Sequence, residues 1–337
     1  MMKNRIVIFL AMGLVLSACG TTGNTRPDWI DTKSKNYPSE RYMTGQGESE
    51  RQAQARDRAR ADLAKVFQVA VVEQSRDIVR FSSHGVGKDA VKQLESEASR
   101  DIETRTEQVL SGIEIADTWQ DPKDKNYHAL AVLDRLQTAT RLRQEINQLD
   151  DVTDQYIATA QNTPDLIARI GSASRAVEAQ VERDGTQRIL KIVDRSGVGV
   201  IPKHNLGKLV TSRDALVKRL TISPKISRDD IGGLERTMSG ALASAGFSHK
   251  DKDASYVLDA TLETLPIEDK EGWMWVRASL DINLQDAKTG ESRGSHRWDF
   301  KASAQTVESA KKRVKSNVDK ILKDELKDKI ISFGRPE

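Results

Sequence analysis

Trp273-Met274-Trp275-Val276-Arg277-Ala278-Ser279-Leu280-Asp281-Ile282-Asn283-Leu284 is the most regular stretch in the chain. Met274, Val276, Ala278, Leu280, Ile282 and Leu284 recur at every second position, with Arg277, Ser279, Asp281 and Asn283 between them. That period belongs to a pleated strand with one apolar face. Asp286-Ala287-Lys288-Thr289-Gly290 follows as a hairpin turn, its glycine suited to positive φ. A return strand carrying Trp298 and Phe300 runs to about Ser303. Val307, Ala310, Val314, Val318, Ile321, Leu322, Leu326 and Ile330 then recur at helical spacing, and this amphipathic helix is the natural cover for the apolar strand face. Upstream, Tyr256, Leu258, Ala260 and Leu262 alternate with polar residues. A helix over about 231–245 stops at Gly246, and Leu220-Thr221-Ile222 is a short strand. The order from 218 to 337 is therefore βαβββα.

Trp273 and Trp275 break the pattern, because both fall on the polar phase of the strand. Two indoles on a solvent face forgo on the order of 2 kcal/mol of burial each. Either a helix or another unit covers them, or they form a binding surface for protein or glycan.

Working back from this unit, residues 134–217 read as helical. Ala139, Leu142, Ile146, Leu149, Thr153, Tyr156 and Ala160 form one stripe. Leu166, Ile170, Ala173, Val177 and Val181 form another, opening at Thr163 as cap and Pro164 as first helical residue. Together they predict an antiparallel helical hairpin, serving as an internal packing unit or as a coiled-coil partner site. The second helical pattern runs through Gly185 to Ile192, before Gly197-Val198-Gly199-Val200-Ile201-Pro202 breaks it. A further helix carries Leu206, Leu209, Leu216 and Leu220.

Residues 26–133 predict a mixed unit of order βαβαββ. Tyr42-Met43-Thr44-Gly45-Gln46-Gly47 reads as a strand ending at glycines. Ala55, Ala59, Leu63, Val66 and Phe67 then mark an amphipathic helix whose alanines allow close approach to a sheet. Val66 to Val72 reads as a strand, and Val91, Leu94, Ala98, Ile102 and Val109 as a second helix. Ile113–Trp119 and Tyr127–Leu133 read as a hairpin around Asp121-Pro122-Lys123-Asp124. The fold class is α+β, with a helical section between two mixed units.

The first 18 residues have a basic start, Lys3 and Arg5, and an apolar run from Ile6 to Leu16. Such a segment is a cleavable secretory signal, too short to span a bilayer. Leu16-Ser17-Ala18-Cys19 resembles a bacterial lipobox. That resemblance implies cleavage between Ala18 and Cys19, acylation of Cys19, and a lipidated tether over 19–25. Gly20 stands where an Asp would imply inner-membrane retention, so outer-membrane anchoring is implied, with the body in the periplasm. Cys19 is the only cysteine, so no disulfide can form.

Pro27-Asp28-Trp29-Ile30, then Tyr42 to Gly47, then the alanine- and arginine-rich helix, is similar to the LPP-twenty lipoprotein family, as are the flagellar envelope proteins FlgP and the N-terminal part of FlgT. The resemblance covers roughly 26–150 and implies an accessory envelope protein, with no catalytic residues. The C-terminal element order, with Asp253-Ala254-Ser255-Tyr256-Val257-Leu258, resembles the small domains of the TolB N-terminal part, LpoB and the FlgT middle part.

Composition narrows the function classes. The chain is 37% hydrophobic and 31% charged, enough for cores under a charged surface. Its formal charge is +3. Without the signal, 51 basic residues (53 less Lys3 and Arg5) stand against 50 acidic, a balance that gives nucleic acid no footing. The histidines have no zinc-type spacing, no nucleophile elbow occurs, and Gly45 and Gly47 lack the rest of a phosphate loop. No metal, cofactor or catalytic group is expected. Two function classes stand: a non-enzymatic outer-membrane lipoprotein supporting envelope or flagellar assembly through protein contacts, or a module that binds peptidoglycan or another glycan, or activates a wall synthase. An aromatic groove with polar rims at Trp273 and Trp275 favours the second; a flat or fully packed corner favours the first.

Overall fold

The computed structural model describes residues 25–82, 112–249 and 253–335. Ala18 and Cys19, and the expected helix over 91–109, lie outside the described residues. The fold is α+β, with a three-stranded and a six-stranded sheet. Among the described residues no helix is long and apolar enough to cross a membrane.

The first sheet contains β1 (Tyr42–Ser49), β2 (Glu114–Gln120) and β3 (Tyr127–Asp134), with β3 central. A short helix, α1 (Asp28–Asp31), precedes it, and α2 (Gln52–Ser82) packs across β1. Gly45 and Gly47 do not end the strand; they lie within it, against α2. A Cβ on Gly45 would come 2.6 Å from the Ala59 carbonyl oxygen, and Ala55 and Ala59 are fully buried. Small residues on both sides let helix and strand backbones touch. The strand expected over 66–72 is instead helix, because α2 continues through it. Ala55, Ala59, Leu63 and Phe67 form one i,i+4 stripe in the core, and this helical burial overrides the short apolar run. On the other sheet face, Trp29 from α1 packs with Leu130 and Val132 and donates its indole N–H to Asp117 at 2.8 Å.

β3 runs straight into α3 (Arg135–Asn162). Asp134 caps that helix, accepting from the Gln137 amide at 3.0 Å. This bond, helped by Arg41, holds the Asp134 carboxyl below its ordinary range. α4 (Leu166–Val193) returns antiparallel. Its cap is Asp165, not Thr163: the Asp165 carboxylate accepts from the amides of Ile167 at 2.8 Å and Ala168 at 3.3 Å. Thr163 closes α3 instead, donating its hydroxyl to the Thr159 carbonyl, and Pro164 falls in the connection.

α4 joins the two halves. Ile167 and Ile170 belong to the C-terminal core, while Ile189, Leu190 and Val193 belong to the N-terminal one. A helix of 28 residues is about 42 Å long, so the two cores sit at opposite ends of it. Arg183, midway, forms a buried pair with Asp150 of α3 at 3.1 Å and donates to the Val200 carbonyl at 3.0 Å.

α5 (Leu206–Arg219) leads into the second sheet: β4 (Thr221–Asp229), α6 (Leu234–Ser244), β5 (Ser248–His249), β6 (Tyr256–Thr264), β7 (Glu268–Lys270), β8 (Trp273–Asp286), β9 (Ser292–Ala304) and α7 (Val307–Ser332). β4 pairs in parallel with β5 and β6; β8 pairs antiparallel with β6 and β7 on one side and β9 on the other. The short strands β5 and β7 add to the expected order. As expected, α7 covers the apolar face: Val314, Val318, Leu322 and Leu326 pack with Val276, Leu280 and Ile282. Trp298 points into this layer and donates to Glu325 of α7 at 2.8 Å.

Candidate binding groove on the second sheet

With one face under α6 and α7, the other face of the second sheet is solvated, and charged residues cover it. Most of them neutralise one another. Arg228 pairs with Asp230 and Glu263, each at 2.8 Å. Arg297 pairs with Asp299 at 3.1 Å and Asp281 at 3.3 Å. Lys225 reaches Asp259 at 3.4 Å.

The pattern changes at the end of the sheet where β8 begins. Trp273 is 42% exposed. Trp275, one pleat further on, is half-buried and carries the Lys301 ammonium 5.6 Å from its ring centroid. Beside it, on β7, Lys270 pairs with Glu268 at 2.7 Å. The Glu268 carboxyl is held below its ordinary range by that hydrogen bond first, and then by the charges of Lys270 and Arg277. Arg277 and Lys301 stand directly opposite each other across β8 and β9. Among the described residues, neither has a carboxylate within ion-pair distance, unlike the other cations named on this face.

These residues line two adjoining hollows. One, of about 400 Å³, is walled by Pro266, Glu268, Lys270, Trp275, Arg277 and Lys301. The other, of about 660 Å³, continues along the sheet past Leu265, Thr264, Glu263 and Arg228 on one side and Asp299 and Arg297 on the other. Arg277 and Lys301 belong to both. Volumes of this size are those of small-ligand sites. Leu265, 58% exposed, adds apolar surface to the rim. The result is a groove with an aromatic end, polar sides and two unpaired cations in its floor.

Sequence patterning singled out Trp273 and Trp275, and the structure brings Trp275 together with Arg277 and Lys301. Arg277 was visible only as one of several polar residues of the strand. Lys301 carried no signal of its own; only the β8–β9 register reveals it. Among the described residues no group of histidine, cysteine and carboxylate side chains could hold a metal.

The chain is thus an α+β body of two sheets joined by a helical hairpin, with a charged groove on the second sheet. Residues 27–134 match the model of the LPP20 lipoprotein family. No curated protein matches the chain. Among solved structures, the secreted protein HP1454 of Helicobacter pylori is similar over 84% of this chain and 97% of its own, at 14% identity and a TM-score of 0.39. A putative lipoprotein of Caulobacter crescentus is similar over 37% of this chain and 98% of its own, at 15% identity and a TM-score of 0.28. The rare lipoprotein B of Shewanella oneidensis is similar over 33% of this chain and 90% of its own, at 14% identity and a TM-score of 0.22.

Proposed function

We propose that the chain is a non-enzymatic lipoprotein, held in the outer membrane by an acylated Cys19, that supports envelope assembly by binding a cell-wall glycan in the groove at Trp273 and Trp275. The LPP20 match supports the lipoprotein part. The lipobox-like Leu16 to Cys19 supports cleavage after Ala18 and lipidation, and Gly20 supports the outer membrane. In functional terms, residues 26–133 form the unit next to the tether, 134–217 the connecting helices, and 218–337 the binding unit, with the body in the periplasm.

One observation favours a glycan over a flat protein contact: Trp275 walls a hollow rimmed by charged side chains, and the exposed Trp273 lies one pleat before it on the same strand, opposite Lys270 of that rim. An indole offers a broad rigid apolar surface with little conformational freedom to lose, and the charged rim offers hydrogen bonds to hydroxyls. The test is co-sedimentation of the purified chain with isolated cell-wall sacculi. The wild type is expected to pellet with them, and a Trp273→Ser/Trp275→Ser variant with an unchanged melting curve is expected to stay in solution. Equal pelleting of both would refute the glycan site. Loss of envelope-protein crosslinks in the variant, with sacculus binding unchanged, would return the groove to the protein-contact class.

A further inference from the structure

We infer that the groove has a built anion site, Arg277 with Lys301, and that it reads a carboxylate carried on the glycan. The inference rests on the glycan reading above and names the chemistry of the ligand. Arg277 and Lys301 are cross-strand partners in direct register. Like charges in that position destabilise a sheet. Elsewhere on this face the cations are matched: Arg228 by Glu263, Arg297 by Asp299, Lys270 by Glu268. Glu268, already paired with Lys270, is felt by Arg277 only through its charge, so the like-charge pair has no ion-pair partner of its own where the two hollows meet. An anion seated between the two side chains removes the repulsion and supplies the missing partner.

The surroundings select the kind of anion. Arg277 offers a planar fork that matches a carboxylate with two parallel hydrogen bonds. The Lys301 ammonium is already oriented by the face of Trp275, so less of its freedom remains to be lost on binding. Trp275 walls the hollow beside the anion site, and the exposed Trp273, one pleat further along the strand, extends the apolar surface on which a sugar ring attached to the carboxylate would lie. A bare anion would use the cations and leave both indoles idle; a neutral sugar would use the indoles and leave the repulsion in place. A carboxylate-bearing amino sugar uses both.

The experiment titrates the full-length chain with three probes: an amino-sugar disaccharide bearing a free lactyl carboxylate, the neutral N-acetylglucosamine disaccharide, and an acidic tetrapeptide without sugar. The wild type should bind the acidic disaccharide about tenfold more tightly than the neutral one, the scale of one charge-assisted bond. That preference should fade as salt is raised. Arg277→Gln and Lys301→Gln should each remove most of the preference, weakening the acidic disaccharide far more than the neutral one, and melt no lower than the wild type, since each relieves the like-charge pair. Arg277→Lys should keep part of the preference, having the charge without the fork. Equal binding of both sugars by the wild type overturns the carboxylate site and leaves the glycan groove standing. Binding of neither sugar overturns both. Tighter binding of the tetrapeptide than of either sugar also overturns the inference, by making the groove a peptide site.

Discussion

Arg183→Met removes one partner of the buried ion pair between the two long helices. The Arg183 and Asp150 side chains are 1% and 2% exposed and 3.1 Å apart, so nearly all of both charges has left water. Methionine fills much of the same volume, which keeps cavity effects small. The Val200 carbonyl loses its bond from Arg183 but keeps one from the Gln187 side-chain amide at 2.8 Å, so it is not orphaned. The cost therefore falls mainly on Asp150, left with an unmatched charge in the interior, and less on the part-exposed Asp184, 3.8 Å from the guanidinium. Breaking a buried pair from one side costs about 3–5 kcal/mol. For a chain of this size that lowers the melting temperature by on the order of 10 °C. The assay is thermal and urea unfolding at pH 7. Asp150→Leu/Arg183→Met should recover most of the loss, because neither charge is then stranded. A loss below about 1 kcal/mol, or a double variant no better than the single one, would refute the assignment of the cost to a stranded charge.

Gly45→Val should destabilise by about 3 kcal/mol or more, since the new side chain would strike the α2 backbone at Ala59 in a packed core; urea unfolding measures it. The Tyr256 phenol, buried and hydrogen-bonded to Asp165 at 2.9 Å, is pushed above its ordinary 10, burial being the largest cause. An acid whose folded-state pKa is raised adds stability below the unfolded value and loses it as pH climbs beyond, so folding stability should fall above about pH 10, and less steeply in Tyr256→Phe. Cys19→Ala should leave the chain unprocessed or free of the outer-membrane fraction; flotation of cell envelopes reads this, and normal processing with continued flotation would contradict lipidation.

Much of the architecture was legible because it depends on periodicity. The alternation from Met274 to Leu284 and the stripe of α7 each announced their element and their buried face. Expectations that rest on competing signals differ from the structure. Val66 to Val72 has the composition of a strand, but it continues a helical stripe whose residues already fill the core. Thr163-Pro164 has the form of a helix start, but the Asp165 carboxylate is a stronger acceptor and captures the first amides. Half of the groove was legible and half was not. The two indoles were conspicuous on a polar phase. Lys301 was hidden by register: counting back from the hairpin turn, where Gln285 pairs with Ser292, sets Phe300 opposite Arg277. The irregularity between Leu284 and Gln285 shifts the pairing by one residue and brings Lys301 there instead. A one-residue shift exchanges the faces of a strand, and the like-charge pair exists because of it.

The most direct test of the groove as a wall-binding surface places a photoreactive phenylalanine analogue at position 273 and irradiates intact cells. The expected product is an adduct too large to enter a gel until the wall is digested with muramidase, after which it runs as the chain carrying a small glycan mass. Discrete protein adducts that muramidase leaves unchanged would contradict it.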